Sequence, residues 1–544
     1  MSDNIKTPLE MFYHWEREAA GDVFLRQPAA LQWTEYTWAE VADRARRLAA
    51  YLVAQNYEPG SRIAVFAKNC ADWVVVDFAI MLAGHISVPL YPGQDASSTK
   101  YIVEHSESRM IFLGQFDIAE QIDSVLPADL PRVGIHGCAV KADISIEALL
   151  AQYEPFAESP IPAANSLFTI LYTSGTTGNP KGVMHIHATP GSVLPRFQKT
   201  WKIGTHGDRE RFISYLPLSH AAERCIVEMN ALYCNGIISF SEGLETFAEE
   251  LRSVEPTFFF SVPRLWVKFK EAVDAKIPPE VQAGFGDEQR EAVRKQLGLN
   301  SARVILTGSA PCPKEVQNWF LDMGVLLREG YSMTENFCDG TFWSEDSRPP
   351  AGCVGKPLPG VEIKLTDDEE VCFRSSGLMV GYYKNEEKTA EALVDGWYHT
   401  GDTGKLDDDG NLWITGRISE VFKTTKGKFI SPTKLEDEFG SLVELAQVCV
   451  CGHGLNQPIL LATRSELAAT LSNAELAERL SAALEKINSG LPAYEKVSNI
   501  LVTPGEWTIM NGLLTPTMKL KRKSLLAQYA DQINASHSDA VVFL

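Results

Sequence analysis

Positive charge is what this sequence has least of. Its 50 lysines and arginines face 70 aspartates and glutamates, a formal net charge of −20 over 544 residues. A nucleic-acid binder needs a basic footprint to displace counterions, so no nucleic-acid partner is expected. Cysteine is sparse as well: ten residues, none in Cys-x-x-Cys spacing. That fits reduced thiols in a cytoplasm better than a disulfide-stapled fold. Cys449, Cys451 and His453 alternate along an expected strand and so share one face. No second Cys/His pair stands nearby to complete a metal site. Long uncharged apolar runs are missing too. The most apolar stretch, Trp73 to Tyr91, contains Asp77, Gly84, His85 and Pro89, and reads as a buried helix followed by a strand. The opening residues Met1 to Thr7 have neither a basic nor an apolar segment, so no signal peptide is expected.

With 45% hydrophobic and 22% charged residues the chain has the composition of an ordinary globular protein. Its length calls for two or more domains. The N-terminal region repeats a βαβ grammar. Thr37-Trp38-Ala39-Glu40 reads as a capping box, opening a helix with Trp38, Val41, Ala45, Leu48 and Leu52 on one face. Gly60 ends a turn, and Ile63–Ala67 follows as a buried strand. A helix over Asp72–Leu82 and a strand over Ile86–Leu90 complete the unit.

Further strands are expected at Met110–Leu113, Phe212–Tyr215, Ile237–Phe240, Phe258–Phe260 and Val304–Leu306. The fold class is therefore α/β, with a large N-terminal domain of doubly wound subdomains. After Arg417 the pattern shrinks to a small α+β unit. It has strands near Gln447–Gly452, Ile459–Thr463 and Asn499–Val502, and a helix capped by Ser472 and Glu475. The expected division is 1–416, a hinge at 417–420, and a small mobile domain over 421–544. Glu271–Gln296 reads as surface helix broken at Pro278-Pro279, and Asp367–Glu370 as a turn.

The most informative stretch follows the apolar run Leu167–Tyr172. It is Thr173-Ser174-Gly175-Thr176-Thr177-Gly178-Asn179-Pro180-Lys181-Gly182. Such a loop offers unhindered backbone N–H groups and hydroxyls to an oxyanion, and Lys181 adds a positive charge. Phosphate is its natural guest. It is not a Walker loop, because Pro180 precedes the lysine and Gly182 follows it.

This loop resembles the phosphate loop of the adenylate-forming enzymes: acyl-CoA synthetases, luciferases and peptide-synthetase adenylation domains. Their other signatures follow in order. Gly308-Ser309-Ala310-Pro311 is similar to the small-residue turn that lets adenine approach the backbone. Glu329-Gly330-Tyr331-Ser332-Met333-Thr334-Glu335 resembles the adenine-and-metal motif. There the resemblance implies that Tyr331 stacks on adenine, Thr334 bonds the α-phosphate and Glu335 binds Mg²⁺. Trp397-Tyr398-His399-Thr400-Gly401-Asp402 matches the motif whose aspartate holds the ribose hydroxyls, and Gly416-Arg417 the one that places an arginine nearby. Leu514-Thr515-Pro516-Thr517-Met518-Lys519 resembles the motif of the catalytic lysine. Lys519 fits that role better than Lys521, since Leu525 follows it at the family's spacing. Met518 stands where the family has glycine, and Ser419 where it has a hinge Asp or Lys. The loop Lys423–Phe429 resembles the one lining the pantetheine tunnel, with Gly427 giving the thiol arm close approach.

The resemblance implies ATP, Mg²⁺ and CoA as reactants and cofactor, with a carboxylic acid passing through an acyl-adenylate. Leu216-Pro217-Leu218-Ser219-His220 with Glu223-Arg224 is similar to the long-chain fatty acid version, in which His220 closes the carboxylate end of the acyl pocket. Thr173, His220, Glu335 and Lys519 are the expected catalytic residues. A hydrogen-bonded histidine at a strand end is the alternative for His220, and a solvated basic tail the alternative for the cluster of Lys519, Lys521, Arg522 and Lys523. A carrier-protein acceptor and a non-catalytic nucleotide binder remain as other functions. No amphipathic anchor stands out, so a fatty acid substrate implies transient membrane contact at most.

Overall fold

The computed structural model describes residues 5–173, 179–515 and 518–544. Its central sheet has eight strands. In spatial order they are Gly381–Tyr382, Lys181–Ile186, Leu167–Thr173, Ile86–Leu90, Arg62–Phe66, Met110–Leu113, Arg132–Gly134 and Ile144–Ser145. From Leu167–Thr173 to Ile144–Ser145 every neighbouring pair is parallel, while the first two strands run antiparallel to their neighbours. Helices cover both faces, so the central strands carry mostly apolar residues. Ile63, Val65, Met110 and Phe112 point into one core with helices Trp38–Ala54 and Ala71–Leu82. Ala64, Phe66, Ile111 and Leu113 point into a second core with Ile102, Val103 and Ile122. That is the doubly wound arrangement expected. The capping box at Thr37 and Glu40 forms, and Gly60 closes its turn at φ +77°.

A second sheet takes the order Arg211–Ser214, Ile237–Phe240, Val23–Ala29, Gln32–Thr37. A parallel trio, Phe258–Ser261, Val304–Thr307 and Leu327–Glu329, lies beside it, joined where Thr257 N–H donates to Arg211 O at 3.0 Å. Glu362–Leu365, Glu370–Arg374, Leu393–Val394, Trp397–Leu406 and Leu412–Arg417 make an antiparallel sheet of their own. The C-terminal part packs helices Pro432–Phe439 and Asn473–Ser489 on strands Leu445–Cys451, Ile459–Arg464, Ile500–Thr503 and Val541–Phe543. The last of these strands was not among those expected.

One expectation fails locally. The strand bearing Cys449 and Cys451 ends at Cys451, and Gly452 turns the chain at φ +149°, leaving His453 exposed beyond it. The three side chains therefore do not share a strand face. Glu271–Gln296 resolves into the end of helix Pro263–Asp274, a short turn at Pro279–Gln282 and helix Asp287–Gln296, broken at the paired prolines as expected. No described helix is long and apolar enough to cross a membrane.

An ion pair is sealed inside the first core. Arg224 Nη2 donates to both carboxylate oxygens of Asp77 at 2.6 Å, and neither side chain has exposed surface. The guanidinium also lies 5.3 Å over Trp73 and 4.9 Å over Phe168. Glu228 Oε2 is 3.8 Å from Arg224 Nε, and burial pushes the Glu228 carboxyl well above its ordinary value. Removing the arginine strands the Asp77 charge in this core. Arg224→Met should therefore lower the stability of the N-terminal part by about 3–5 kcal/mol in urea unfolding. Adding Asp77→Leu to it should recover most of that loss, because an apolar pair of similar volume needs no compensation.

Candidate functional site

Thr173 and Lys181 face each other across the antiparallel pair formed by Leu167–Thr173 and Lys181–Ile186, so the sheet clamps both ends of the small-residue loop. Ser174, Gly175, Thr176, Thr177 and Gly178 lie outside the described residues. Lys181 places its ammonium 4.3 Å over the ring of Tyr382, a cation–π contact. The Tyr382 hydroxyl donates to Glu335 Oε1 at 2.8 Å. Tyr382 thus links the loop lysine to the acidic motif. Nothing in the local sequence marks it; strand pairing with Val183 brings it there.

Glu335 sits in a short turn, Thr334–Asn336, with little exposed surface. Met379 N–H donates to Glu335 O at 2.7 Å, and His185 Nε2 lies 2.8 Å from Thr334 O. Burial lowers His185 to about 4, so its ring is neutral and donates that bond. Ahead of the turn, Gly330 admits no side chain, since a Cβ there would collide with the ring of Phe342. Gly308 packs against the Gly330 carbonyl, Ser309 is left-handed at φ +68°, and Ala310 is exposed.

Tyr331 and Arg417 converge on one carboxylate. The Tyr331 hydroxyl donates to Asp402 Oδ2 at 2.6 Å and Arg417 Nε to Asp402 Oδ1 at 2.7 Å. Asp402 and Arg417 are direct partners across the strand pair Trp397–Leu406 and Leu412–Arg417. The pairing slips along Trp397–Leu406, where Glu370 faces Thr403 but Cys372 faces His399. Gly401 takes φ +73° at that slip, a backbone state that suits glycine. Tyr398, Thr400 and Asp402 turn inward while His399 turns outward.

Lys519 comes from the far end of the chain. Its loop is tied by Lys519 N–H to Thr515 Oγ1 at 3.0 Å and by Thr515 N–H to Lys519 O at 2.8 Å. Met518 sits at φ +62°, a left-handed residue where the family pattern carries glycine. The Lys519 side chain keeps open surface in the cleft although protein surrounds it. Burial and the charge of Arg417 lower its basicity, while Asp402, Glu335 and Glu420 favour its charged form. The C-terminal part meets the rest of the chain here at the half-exposed pair Arg264–Glu506, 3.7 Å apart.

His220 lies across the cleft. Its Nδ1 accepts the Ala222 N–H at 3.2 Å, which assigns the ring proton to Nε2. Burial, with the Lys519 charge, lowers it to about 4. The neighbouring Leu216–His220 loop is pinned by Asn69, whose Nδ2 donates to Leu216 O at 2.6 Å and whose Oδ1 accepts Leu218 N–H at 3.0 Å. Glu223 accepts from Ser214 Oγ at 2.7 Å and Tyr215 N–H at 3.0 Å, and burial raises it to about 8.

The fold therefore gathers Thr173, Lys181, Tyr331, Thr334, Glu335, Asp402 and Arg417 from the chain before the C-terminal part, and brings Lys519 to them beside His220. It does not gather Gly427. That residue occupies an exposed turn at φ +75° between Phe422–Lys423 and Phe429–Ile430, closed by its N–H to Thr424 O at 2.9 Å. Of the basic cluster, Arg522 turns inward instead of to solvent. It donates to Glu436 at 2.9 Å and to Val450 O at 2.9 Å.

Comparison with known proteins gives the family and the fold. A family model for AMP-binding enzymes matches residues 14–383, and one for the AMP-binding enzyme C-terminal domain matches 420–540. The chain is 27% identical to a long-chain-fatty-acid–CoA ligase of Mycobacterium bovis, covering 97% of this chain and 96% of that protein. It is 30% identical to long-chain-fatty-acid–CoA ligase 1 of Cavia porcellus, covering 93% and 82%. Among solved structures, an anthranilate CoA ligase in complex with anthranoyl-AMP superposes with TM-score 0.79 at 20% identity, over 98% of each chain. The adenylation domain of a carboxylic acid reductase from Segniliparus rugosus, in complex with AMP and a co-purified acid, superposes with TM-score 0.80 at 21% identity, over 97% of this chain and 93% of that one.

Folding holds His220 neutral. Its contribution to stability is complete above the ordinary value of 6.5 and is lost as the pH falls through about 4. An NMR titration, with the resonance assigned by its loss in His220→Gln, should give a midpoint near 4. Lys519→Met removes the repelling charge and should move that midpoint upward while leaving it below 6.5, because burial is the larger cause.

Proposed function

The chain belongs to the AMP-binding enzyme family, and within it we propose an ATP-dependent ligase that activates a long-chain fatty acid and transfers it to CoA. The observation that carries this reading is the placement of Lys519. It enters the cleft from the C-terminal part, beside Asp402, Arg417 and Glu335 and within electrostatic reach of His220. A protein that only bound a nucleotide has no need of that lysine. The long-chain substrate rests on the Leu216–His220 and Glu223-Arg224 pattern and on the long-chain ligases among the relatives.

In the first step a carboxylate oxygen attacks the α-phosphorus of ATP. The bond to pyrophosphate breaks and an acyl-adenylate forms. Two anions must meet, so positive charge is needed where charge accumulates. Lys519 supplies it. One cation about 4 Å from the reacting oxygens contributes roughly 4 kcal/mol at an effective dielectric near 20, or about three orders of magnitude in rate. Its lowered basicity leaves it less stabilised by its own surroundings and freer to serve the reacting oxygens.

Tyr331 offers a flat ring to adenine and, through its hydroxyl, fixes Asp402 for the ribose together with Arg417. Gly308, Ser309 and Ala310 form the backbone wall at the base. Thr173 and Lys181, with the loop between them, hold the phosphates, and Thr334 meets the α-phosphate. Neutral His220 directs its Nε2–H toward the acid without adding charge. Glu335 fits Mg²⁺: Tyr382 takes Oε1, and Oε2 has no partner among the described residues, a hard oxygen suited to that ion. When bound, Mg²⁺ neutralises the phosphate oxygens.

In the second step the CoA thiol attacks the acyl carbonyl and AMP leaves. The acyl-adenylate is already activated, so this step needs less help. Gly427 lies outside the cleft in the docked arrangement, which accords with a lid spanning 421–544 that turns about 417–420 between steps. The segment Ile418–Glu420 is a single short turn following the strand that ends at Arg417.

Two measurements test this reading. ATP–pyrophosphate exchange across acids from acetate to oleate and benzoate should peak at long chains, with acyl-CoA appearing on addition of CoA. Exchange without thioester would transfer the acceptor role to a carrier protein, and no exchange with any acid would refute the enzyme. Lys519→Ala should lose roughly 10²–10³-fold in adenylation yet still form thioester from supplied acyl-adenylate. Equal loss of both half-reactions would show the lysine to be misassigned.

A further inference from the structure

On the outward face of the sheet that carries Asp402, three ligand types meet. The carboxylate of Glu370, the Sγ of Cys372 and the Nδ1 of His399 lie within 4.8 Å of one another. Strand geometry puts them there. Glu370 and Cys372, two apart on one strand, share a face, and the register sets Cys372 opposite His399. His399 Nδ1 is 2.8 Å from Glu370 Oε2 and 3.5 Å from Cys372 Sγ. Glu370 Oε1 accepts the Gly401 N–H at 2.9 Å, which fixes the carboxylate in place. Glu370 and His399 side chains are 16% and 26% exposed above a buried Cys372, so an ion can enter from the solvent side.

We propose that Glu370, Cys372 and His399 form a binding site for a thiophilic divalent cation of the zinc class. Metal–ligand bonds of about 2.0–2.3 Å in a tetrahedron set neighbouring ligand atoms roughly 3.3–3.7 Å apart. The sulfur–nitrogen separation already has that value. The nitrogen–oxygen separation opens by about half an ångström when the shared proton gives way to a metal of that bond length. Thiolate, imidazole and carboxylate together select zinc or cobalt over magnesium, which prefers oxygen ligands. The proton balance is simple. The Cys372 thiol, pushed up to about 11 by burial and by Glu370 against the pull of Lys364, releases its proton to solvent on binding. The imidazole proton moves from Nδ1 to Nε2. The site is separate from the Glu335 position, and its inference does not depend on the ligase reading. It lies one residue behind Asp402, through the Gly401 N–H that Glu370 holds.

Cobalt is the probe. Titrating Co²⁺ into the full-length protein should give one equivalent of a species with sulfur-to-cobalt charge-transfer absorption, bleached by Zn²⁺. The band should vanish in Cys372→Ser, and Glu370→Gln should weaken cobalt affinity by about tenfold or more. Absence of the band in the folded wild-type protein would overturn the proposal, and so would its survival in Cys372→Ser, which would assign it to another cysteine. If Cys372→Ser fails to fold, Glu370→Gln decides the matter, since it keeps the thiol and the strand pairing. Undiminished affinity in that variant would overturn the site.

Discussion

The carboxylate of Asp402 is the constraint on which the site is built. One oxygen takes the Tyr331 hydroxyl and the other the Arg417 guanidinium, which joins the turn after Leu327–Glu329 to the last strand of the large domain. The slip at Gly401 aims that carboxylate inward, and Glu370 holds the slip from behind. Through Arg417 the same group stands at the start of the turn leading to the C-terminal part. A charge-assisted pair at this depth is costly to leave half made, so each of the three partners depends on the other two.

Electrostatics inside the cleft runs against the charge of the whole chain. A protein of net charge −20 repels polyanionic ligands at long range, and answers this with local cations at Lys181, Arg417 and Lys519. Protein surrounding Lys519 and the nearby Arg417 charge lower its basicity, and its charge adds to the burial that keeps His220 neutral. The result is an open acceptor for anionic oxygen beside a neutral donor. That arrangement exists only with the C-terminal part docked, because Lys519 belongs to that part and its electrostatic neighbours Arg417, Asp402, Glu335 and His220 all precede that part in the chain.

Much of the fold was legible from the chain. Continuous apolar strands such as Ile63–Phe66 signal burial on both faces, and the Thr37–Glu40 capping box marked its helix start. Motif residues with distinctive chemistry, such as Tyr331, Glu335 and Lys519, could be named one by one. Legibility stopped where a residue's surroundings come from elsewhere in the chain. Tyr382 bridges Lys181 and Glu335 yet carries no local signature. The Asp77–Arg224 pair unites two helices far apart in sequence, and His453 falls outside its strand because Gly452 turns the backbone.

The sequence by itself determined the periodicities, the glycine and proline punctuation, and the order of the chemical motifs, because these depend on neighbours along the chain. Its resemblance to the adenylate-forming enzymes placed Met518 where that family has glycine. Only the tertiary structure showed that Met518 nonetheless adopts φ +62°, held by the Thr515–Lys519 loop. The protonation of His220, the lowered basicity of Lys519 and the joint grip on Asp402 were likewise decided in three dimensions. Burial and Coulomb interactions act through space, and the partners that create them are brought together only by folding.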